Sequence, residues 1–241
     1  MVRAPTVQAA PATVHVLAVG IGDYDYRRLA TGRPAQGAER LAAVFEQLHQ
    51  QDRPVLVHRL IGPVKVKAIR AKFGELAKGM AAGDSFVLYL AGRGWTMKGG
   101  HYWLPSNSPS DRYRHIEEYG LDQDGLLALL AEIPATRGLL FLESYRARPP
   151  YLRAVKGVLT ERAVWERLRR TSGRPLLAVN ADFELGDDQG PGALAAALAE
   201  TLEGLAGDLE GVSLAAACEE QLRTRKDDGL RIHLPTGAGG R

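Results

Sequence analysis

The chain has 241 residues, of which 45% are hydrophobic, and it carries 31 Lys and Arg residues against 28 Asp and Glu residues. This length and hydrophobic content suit one compact α/β domain better than two small ones. A formal net charge of +3, with the basic residues spread along the chain, gives little support for nucleic-acid binding. The single cysteine, Cys218, excludes internal disulfides and cysteine-rich zinc sites.

Apolar β-branched segments alternate with amphipathic helical segments, which is typical of a parallel sheet covered by helices. We predict an α/β fold with a six-stranded, mostly parallel sheet flanked by helices on both faces. The predicted strands are 13–24, 53–62, 84–94, 137–144, 174–182 and 230–235. The predicted helices are 37–50, 66–80, 122–134, 159–170, 191–207 and 212–225.

The domain is expected to cover residues 13–236, with flexible tails at 1–12 and 237–241. The start of the chain lacks the apolar run of a signal peptide, and no segment is long enough to span a membrane, so a cytoplasmic protein is expected. The last strand is expected at an edge of the sheet, where it is either covered or pairs with a second copy.

The first predicted strand ends in VGIGDYDY, which invites comparison with a dinucleotide-binding loop. Its glycines are Gly20 and Gly22, but Asp25 occupies the place of the third glycine. The next helix is predicted to begin only near Gly37, too far away for its N-terminus to receive a pyrophosphate. The segment is therefore interpreted as a turn that ends a strand.

The third predicted strand ends in LAGRG, where Arg93 lies between two glycines, and a short hairpin through GGHYWLP is predicted to follow. The next core strand ends in FLESYRA. Together with GIGDY near the start and residues 178–205, which are similar to the family's small-subunit portion, these motifs resemble the caspase-like cysteine peptidases, which include caspases, metacaspases and related prokaryotic proteins. The resemblance covers residues 13–235. It implies a large-subunit-like part at about 13–148 and a small-subunit-like part at about 172–236.

The resemblance also implies where a catalytic site would lie, because it places the strands that end at Arg93 and Tyr145 side by side. Arg93 takes the position of the family's catalytic histidine, and Tyr145 takes that of the catalytic cysteine. Gly94 corresponds to the residue whose backbone N–H holds the oxyanion. An arginine, with a pKa above about 12, cannot transfer a proton near neutral pH, and a phenol is a far weaker nucleophile than a thiolate. We therefore expect an inactive regulatory or interaction module, a pseudopeptidase.

Such a module would need a protein partner, and the resemblance suggests an active caspase-like homologue or its substrate. No cofactor, metal, nucleic acid or membrane is expected. The resemblance further places Asp23 and Glu143 at two acidic positions of a pocket for basic side chains. Arg93 is expected either to occupy that pocket, in an ion pair with Glu143 or, as second choice, Asp23, or to lie solvated on a loop.

One alternative is a hydrolase with a relocated nucleophile, Ser144, and His101 as its base. Ser144 neighbours the lost nucleophile, but adjacent strand residues point to opposite sides of a sheet, so its hydroxyl cannot replace the thiol. His101 is expected to be a surface or packing histidine, because no motif places a serine or cysteine beside it. The other histidines show no spacing typical of a metal site.

Overall fold

The computed structural model describes residues 12–48, 54–97, 100–147, 161–183, 190–204, 218, 220–221 and 230–233. In chain order the strands are β1 (Val14–Ile21), β2 (Val55–Gly62), β3 (Ser85–Met97), β4 (Gly100–Trp103), β5 (Leu121–Asp122), β6 (Arg137–Ala147), β7 (Leu176–Phe183) and β8 (Leu230–His233). The helices are α1 (Arg33–Gln47), α2 (Val66–Gly79), α3 (Tyr113–Tyr119), α4 (Gln123–Glu132), α5 (Glu161–Ser172) and α6 (Ala193–Gly204). A single-turn 3-10 helix, η1, covers Arg27–Leu29.

The main sheet has the strand order β2-β1-β3-β6-β7-β8. Its neighbouring strands are parallel, except that β8 is antiparallel to β7. The predicted α/β class and mostly parallel sheet are confirmed. The described sheet is larger than the six strands predicted, because β4 pairs with the end of β3 and β5 pairs with β4.

Helices cover both faces of the sheet. Alternate residues of β1 enter different cores: Val16 and Ala18 pack with α1 and α6, whereas Leu17 and Val19 pack with α2, α4 and α5. A strand buried on both faces needs apolar residues at successive positions, which explains the continuous apolar run in the sequence of β1. The same alternation gives the ends of the central strands two chemically distinct sides.

The prediction that β3 ends at its two glycines is wrong, because the strand continues to Met97. Each glycine instead allows a close approach. A Cβ atom at Gly92 would lie 3.2 Å from the Cβ of Ile21, and one at Gly94 would lie 2.6 Å from the Nε2 atom of His101. The extension of β3 forms the predicted hairpin with β4, in which Thr96 is the partner of His101.

Other boundaries also differ from the prediction. Helix α1 begins at Arg33 rather than near Gly37, with a proline in its first turn, where a missing N–H costs nothing. Both α3 and η1 were not predicted. Most of the predicted helix 212–225 and the tails 1–11 and 237–241 lie outside the described residues. Within the part of the chain that is described, no helix is long and apolar enough to cross a membrane.

Candidate active site

The two positions that the resemblance marks as catalytic lie side by side. Strands β3 and β6 are parallel neighbours, and Arg93 is the register partner of Tyr145. The prediction that these strands are adjacent is confirmed. Register partners point to the same face of a sheet, so both side chains lie on the face that carries α1 and α6. The two positions therefore lie together on one face of the sheet, near the end of β6 and within the longer β3.

Arg93 is buried, with 4% of its surface exposed. Its Nε atom donates to the carbonyl of Leu29 at 2.9 Å, and Nη2 lies 3.4 Å from the carbonyl of Ala30, so the guanidinium holds the end of η1. Its backbone N–H donates to the hydroxyl of Tyr24 at 2.8 Å. The solvated alternative is therefore wrong, and the arginine is part of the interior.

Glu143 is completely buried two residues before Tyr145. Its Oε2 atom accepts a hydrogen bond from the hydroxyl of Tyr89 at 2.7 Å, and Oε1 accepts one from the backbone N–H of Leu194 at 3.1 Å. Leu194 lies in the first turn of α6, where free N–H groups favour a carboxylate. Burial nevertheless raises the pKa of Glu143, while these hydrogen bonds act to lower it.

The buried side chain of Tyr145 fills much more space than a cysteine side chain would at the same position. Its hydroxyl lies beside the Glu143 carboxyl, and a Cβ atom at Gly192 would overlap both groups. Burial and the neighbouring carboxyl raise the pKa of Tyr145 well above its usual value, while Arg33 and Arg93 act to lower it. The phenol is thus neutral at physiological pH and packed against the start of α6.

The expected ion pair between Arg93 and Glu143 is wrong for the described residues. The Glu143 oxygens bind tyrosine and backbone donors, whereas the guanidinium binds the carbonyls of η1. Asp23 is exposed after β1, and its carboxyl lies close to Gly62 at the end of β2, on the side away from β6. The structure therefore does not bring the two acidic positions together around Arg93.

A second polar cluster lies on the opposite face of the same strand ends. The hydroxyl of Ser144 lies 2.7 Å from the Nε2 atom of His101, and the Nδ1 atom of His101 lies 2.9 Å from the hydroxyl of Thr96. Gly94 packs directly against the first two of these side chains. No sequence motif places a serine beside His101, but the structure does, and His101 is a packing histidine rather than a surface one. The expectation that Ser144 points away from the Tyr145 position is supported by this placement.

The histidine of this cluster is sealed from solvent. His101 and Ser144 are each 2% exposed, and the His101 ring packs against Trp103 at 4.5 Å and against Trp165 at 4.7 Å between ring centroids. The alternation of side chains along a strand would have allowed us to predict that Ser144 and Gly94 lie on the same side of the sheet. The hairpin register that brings His101 to them could not be predicted from the sequence, because it depends on how far β3 continues past its glycines.

The chemistry open to each cluster differs. The Arg93 and Tyr145 pair contains no nucleophile that ionises near neutral pH and no group that can transfer a proton there. The Ser144 and His101 pair has the distance of a nucleophile and its base, but its third member is a hydroxyl rather than a carboxylate, and substrate cannot reach it without an opening. No group of three or more potential metal ligands occurs among the described residues.

No protein-family model and no curated protein matches the sequence. Structure comparison finds solved structures with a similar fold. The fold is similar to GSU0716 from Geobacter sulfurreducens, with a TM-score of 0.57, 16% identity and 92% of each chain covered. It is also similar to the Drosophila initiator caspase Dronc, with a TM-score of 0.53, 14% identity, and 93% of this chain and 79% of that chain covered.

A third similar structure is caspase-1 from Spodoptera frugiperda, with a TM-score of 0.53, 12% identity, and 92% of this chain and 83% of that chain covered. These similarities extend over nearly the whole chain, and two of the three structures are caspases. The chain therefore has a caspase-like fold. The structural similarity shows the fold. At sequence identities this low it does not show the activity, which has to be argued from the residues of the site.

Proposed function

We propose that this caspase-like chain is a pseudopeptidase, retained as a regulatory or interaction module after the loss of proteolysis. One observation carries the proposal: the register pair at the ends of β3 and β6 consists of buried Arg93 and buried Tyr145. A cysteine peptidase needs a thiolate and an imidazole at such a pair. Both requirements fail at once, and neither replacement can be activated by its neighbours.

The packing around the pair supports the same conclusion. Tyr145 takes up the room between Glu143 and Gly192, and Arg93 is bonded to the backbone of η1. If the two positions had accumulated substitutions without constraint after catalysis was lost, we would expect these long side chains to extend into solvent. Instead both stabilise the interior, which suits a protein that keeps the fold for its surface.

Covalent labelling of the intact protein tests the proposal. An arginyl or lysyl acyloxymethyl ketone reacts with an activated cysteine at such a site, and we expect no adduct on the wild-type chain by intact-protein mass spectrometry. Cys218 is buried and serves as an internal control for nonspecific thiol reaction, because its removal by Cys218→Ala should change nothing. An adduct that survives Cys218→Ala would contradict the proposal.

The partner belongs to the same proposal. A module with this fold is expected to bind an active caspase-like homologue or the substrate of one, and no nucleic acid, membrane or cofactor. Pull-down with an active caspase-like enzyme tests the first case. Binding that leaves the enzyme's turnover unchanged would argue against a regulatory role.

A second candidate function is a hydrolase that uses Ser144 and His101. The 2.7 Å contact between their side chains favours it, and their burial beneath Trp103 and Trp165 opposes it. A fluorophosphonate probe separates the two functions, since it reacts only with an activated and reachable serine. Labelling that disappears in Ser144→Ala would establish the hydrolase. Absence of labelling in the wild type, with a serine hydrolase as positive control, would remove it.

A further inference from the structure

Strand β2 forms one edge of the main sheet. It pairs with β1 over eight consecutive residue pairs, from Val14 with Val55 to Ile21 with Gly62. No other strand of the described residues pairs with it, so within the described part of the chain the outward N–H and C=O groups of this strand have no ladder partner. An edge of this length is a template for pairing with another chain.

The usual devices that protect a sheet edge are missing from β2. The strand contains no proline, and its one-to-one register leaves no bulge. Its only ionised side chain, Arg59, is bound on the sheet's own face, by Glu46 at 2.8 Å and by Glu39 at 3.3 Å, both from α1. The charge that would repel an incoming strand is thereby neutralised within the molecule.

The strand also carries an exposed apolar residue. Among the described residues, Leu56 is the exposed large hydrophobic side chain, with 48% of its surface accessible. Leu60, two pairs further along the same face, is only half-buried. We propose that β2 pairs antiparallel with β2 of a second copy, joining two sheets into one across a two-fold axis. The proposal deepens the interaction role proposed above, because it names one partner.

Geometry selects the register of this pairing. A two-fold axis perpendicular to the sheet keeps each face on its own side, so even-numbered residues oppose even-numbered residues. Centres at His58 and at Arg59 align equally long parts of β2, but only the centre at His58 places Leu56 against Leu60 of the second copy. A centre at Arg59 would instead oppose two arginines. The first register buries the exposed leucine twice and is the one we infer.

The charges beside the edge suit a second copy better than a strongly charged partner. On the α1 side Arg59 is matched by two carboxylates, and on the α2 side Lys72 is paired with Glu75. Among the described residues, each of these ion pairs brings opposite charges together beside the edge. Two such edges can therefore approach without like-charge repulsion, whereas a highly acidic or basic strand would gain little from this surface.

Sedimentation equilibrium at micromolar concentration tests the proposal. We expect the wild-type chain to show twice the monomer mass, and Leu56→Lys to weaken dimerisation at least tenfold. The matched control is Ala71→Lys, which adds the same charge at an exposed position on α2 and should leave the dimer intact. Because Leu56 is exposed, Leu56→Lys should unfold at the same temperature as the wild type when both are scanned at a concentration low enough to dissociate the dimer.

Cross-linking tests the register. His58→Cys would place two thiols directly opposite each other, at about 5 Å between Cβ atoms, so mild oxidation should give a covalent dimer. In Leu56→Cys the two thiols would be separated by about 14 Å along the strands, and no such product should form.

Three results would overturn the proposal: a monomeric wild type, a dimer unaffected by Leu56→Lys, or cross-linking of Leu56→Cys in preference to His58→Cys. A dimer unaffected by Leu56→Lys would point to another surface, such as the opposite edge at β8. Each result leaves the labelling test for peptidase activity untouched, so failure of this proposal is distinguishable from failure of the proposed function.

Discussion

Arg93 shows how a residue can be placed correctly while its partners are mispredicted. The family resemblance predicts that Arg93 lies beside Tyr145 on a neighbouring core strand, and the register confirms that position, although β3 continues to Met97. Its hydrogen bonds could not be predicted, because η1 gives no periodic signal over three residues. The guanidinium therefore satisfies backbone carbonyls of a turn rather than the carboxylate that the resemblance suggested.

Replacing Arg93 by alanine should lower the stability of the fold. The change removes the buried donors to the carbonyls of Leu29 and Ala30, which costs about 2 kcal/mol or more. The control is Arg137→Ala, because exposed Arg137 also donates to a carbonyl, that of Gly83, and its loss should cost less than about 0.5 kcal/mol. Urea denaturation measures both. Equal costs would mean that Arg93 does not stabilise η1.

Glu143 should give the stability a recognisable pH dependence. Its pKa is raised in the folded state, so the folded chain binds more protons than the unfolded chain between the ordinary carboxyl pKa and the raised one. Its contribution to stability is therefore greatest at low pH and is lost as the pH rises through that window. Glu143→Gln removes the effect, so the stability of this variant relative to wild type should improve with rising pH.

Paired urea denaturation curves of wild type and Glu143→Gln from pH 4 to pH 8 measure this difference. A constant difference across the range would mean that Glu143 has the same pKa in the folded and unfolded states. A difference that moves in the opposite direction would mean that the bonds from Tyr89 and Leu194 outweigh burial.

At the scale of elements, the start of α6 packs closely against β6 because Gly192, just before the helix, has no side chain. A Cβ atom at Gly192 would overlap the Tyr145 hydroxyl and the Glu143 carboxyl, so Gly192→Ala should cost about 2 kcal/mol. The control is Gly74→Ala in α2, where nothing lies within 4 Å and alanine should stabilise by about 0.5 kcal/mol or more. Thermal denaturation should give shifts of opposite sign. A neutral Gly192→Ala would show that α6 docks more loosely than described.

The hairpin of β3 and β4 depends on the buried cluster beneath it. Ser144→Ala removes the hydrogen bond between β6 and His101, and loss of a buried bond of this kind costs about 1 to 3 kcal/mol. The control is Ser85→Ala, at the half-buried start of β3. If Ser144→Ala leaves stability unchanged but removes a measured hydrolysis, the cluster is catalytic rather than structural.

For the whole molecule, the sequence was sufficient to locate the core strands and to predict a mostly parallel sheet, and the family resemblance placed β3 beside β6. Runs such as those of β1, β3 and β6 are apolar at successive positions and alternate with helical periods, so their burial is readable. The side strands β4 and β5 and the contact of His101 with Ser144 were not readable, because they depend on long-range register. The positions of the strands along the chain could be predicted from local sequence patterns. The polar contacts could not, because they are set by tertiary packing.

The measurement that tests the central claim most directly is turnover of arginyl and lysyl peptides, with and without calcium, by the wild-type chain. Arg93→His, Tyr145→Cys and the double variant are measured beside it, since a nucleophile and its base act as a unit. We predict no turnover by the wild type or by either single variant, with any recovered activity confined to the double variant. Turnover by the wild type that survives repurification and persists in Arg93→Ala would contradict the account.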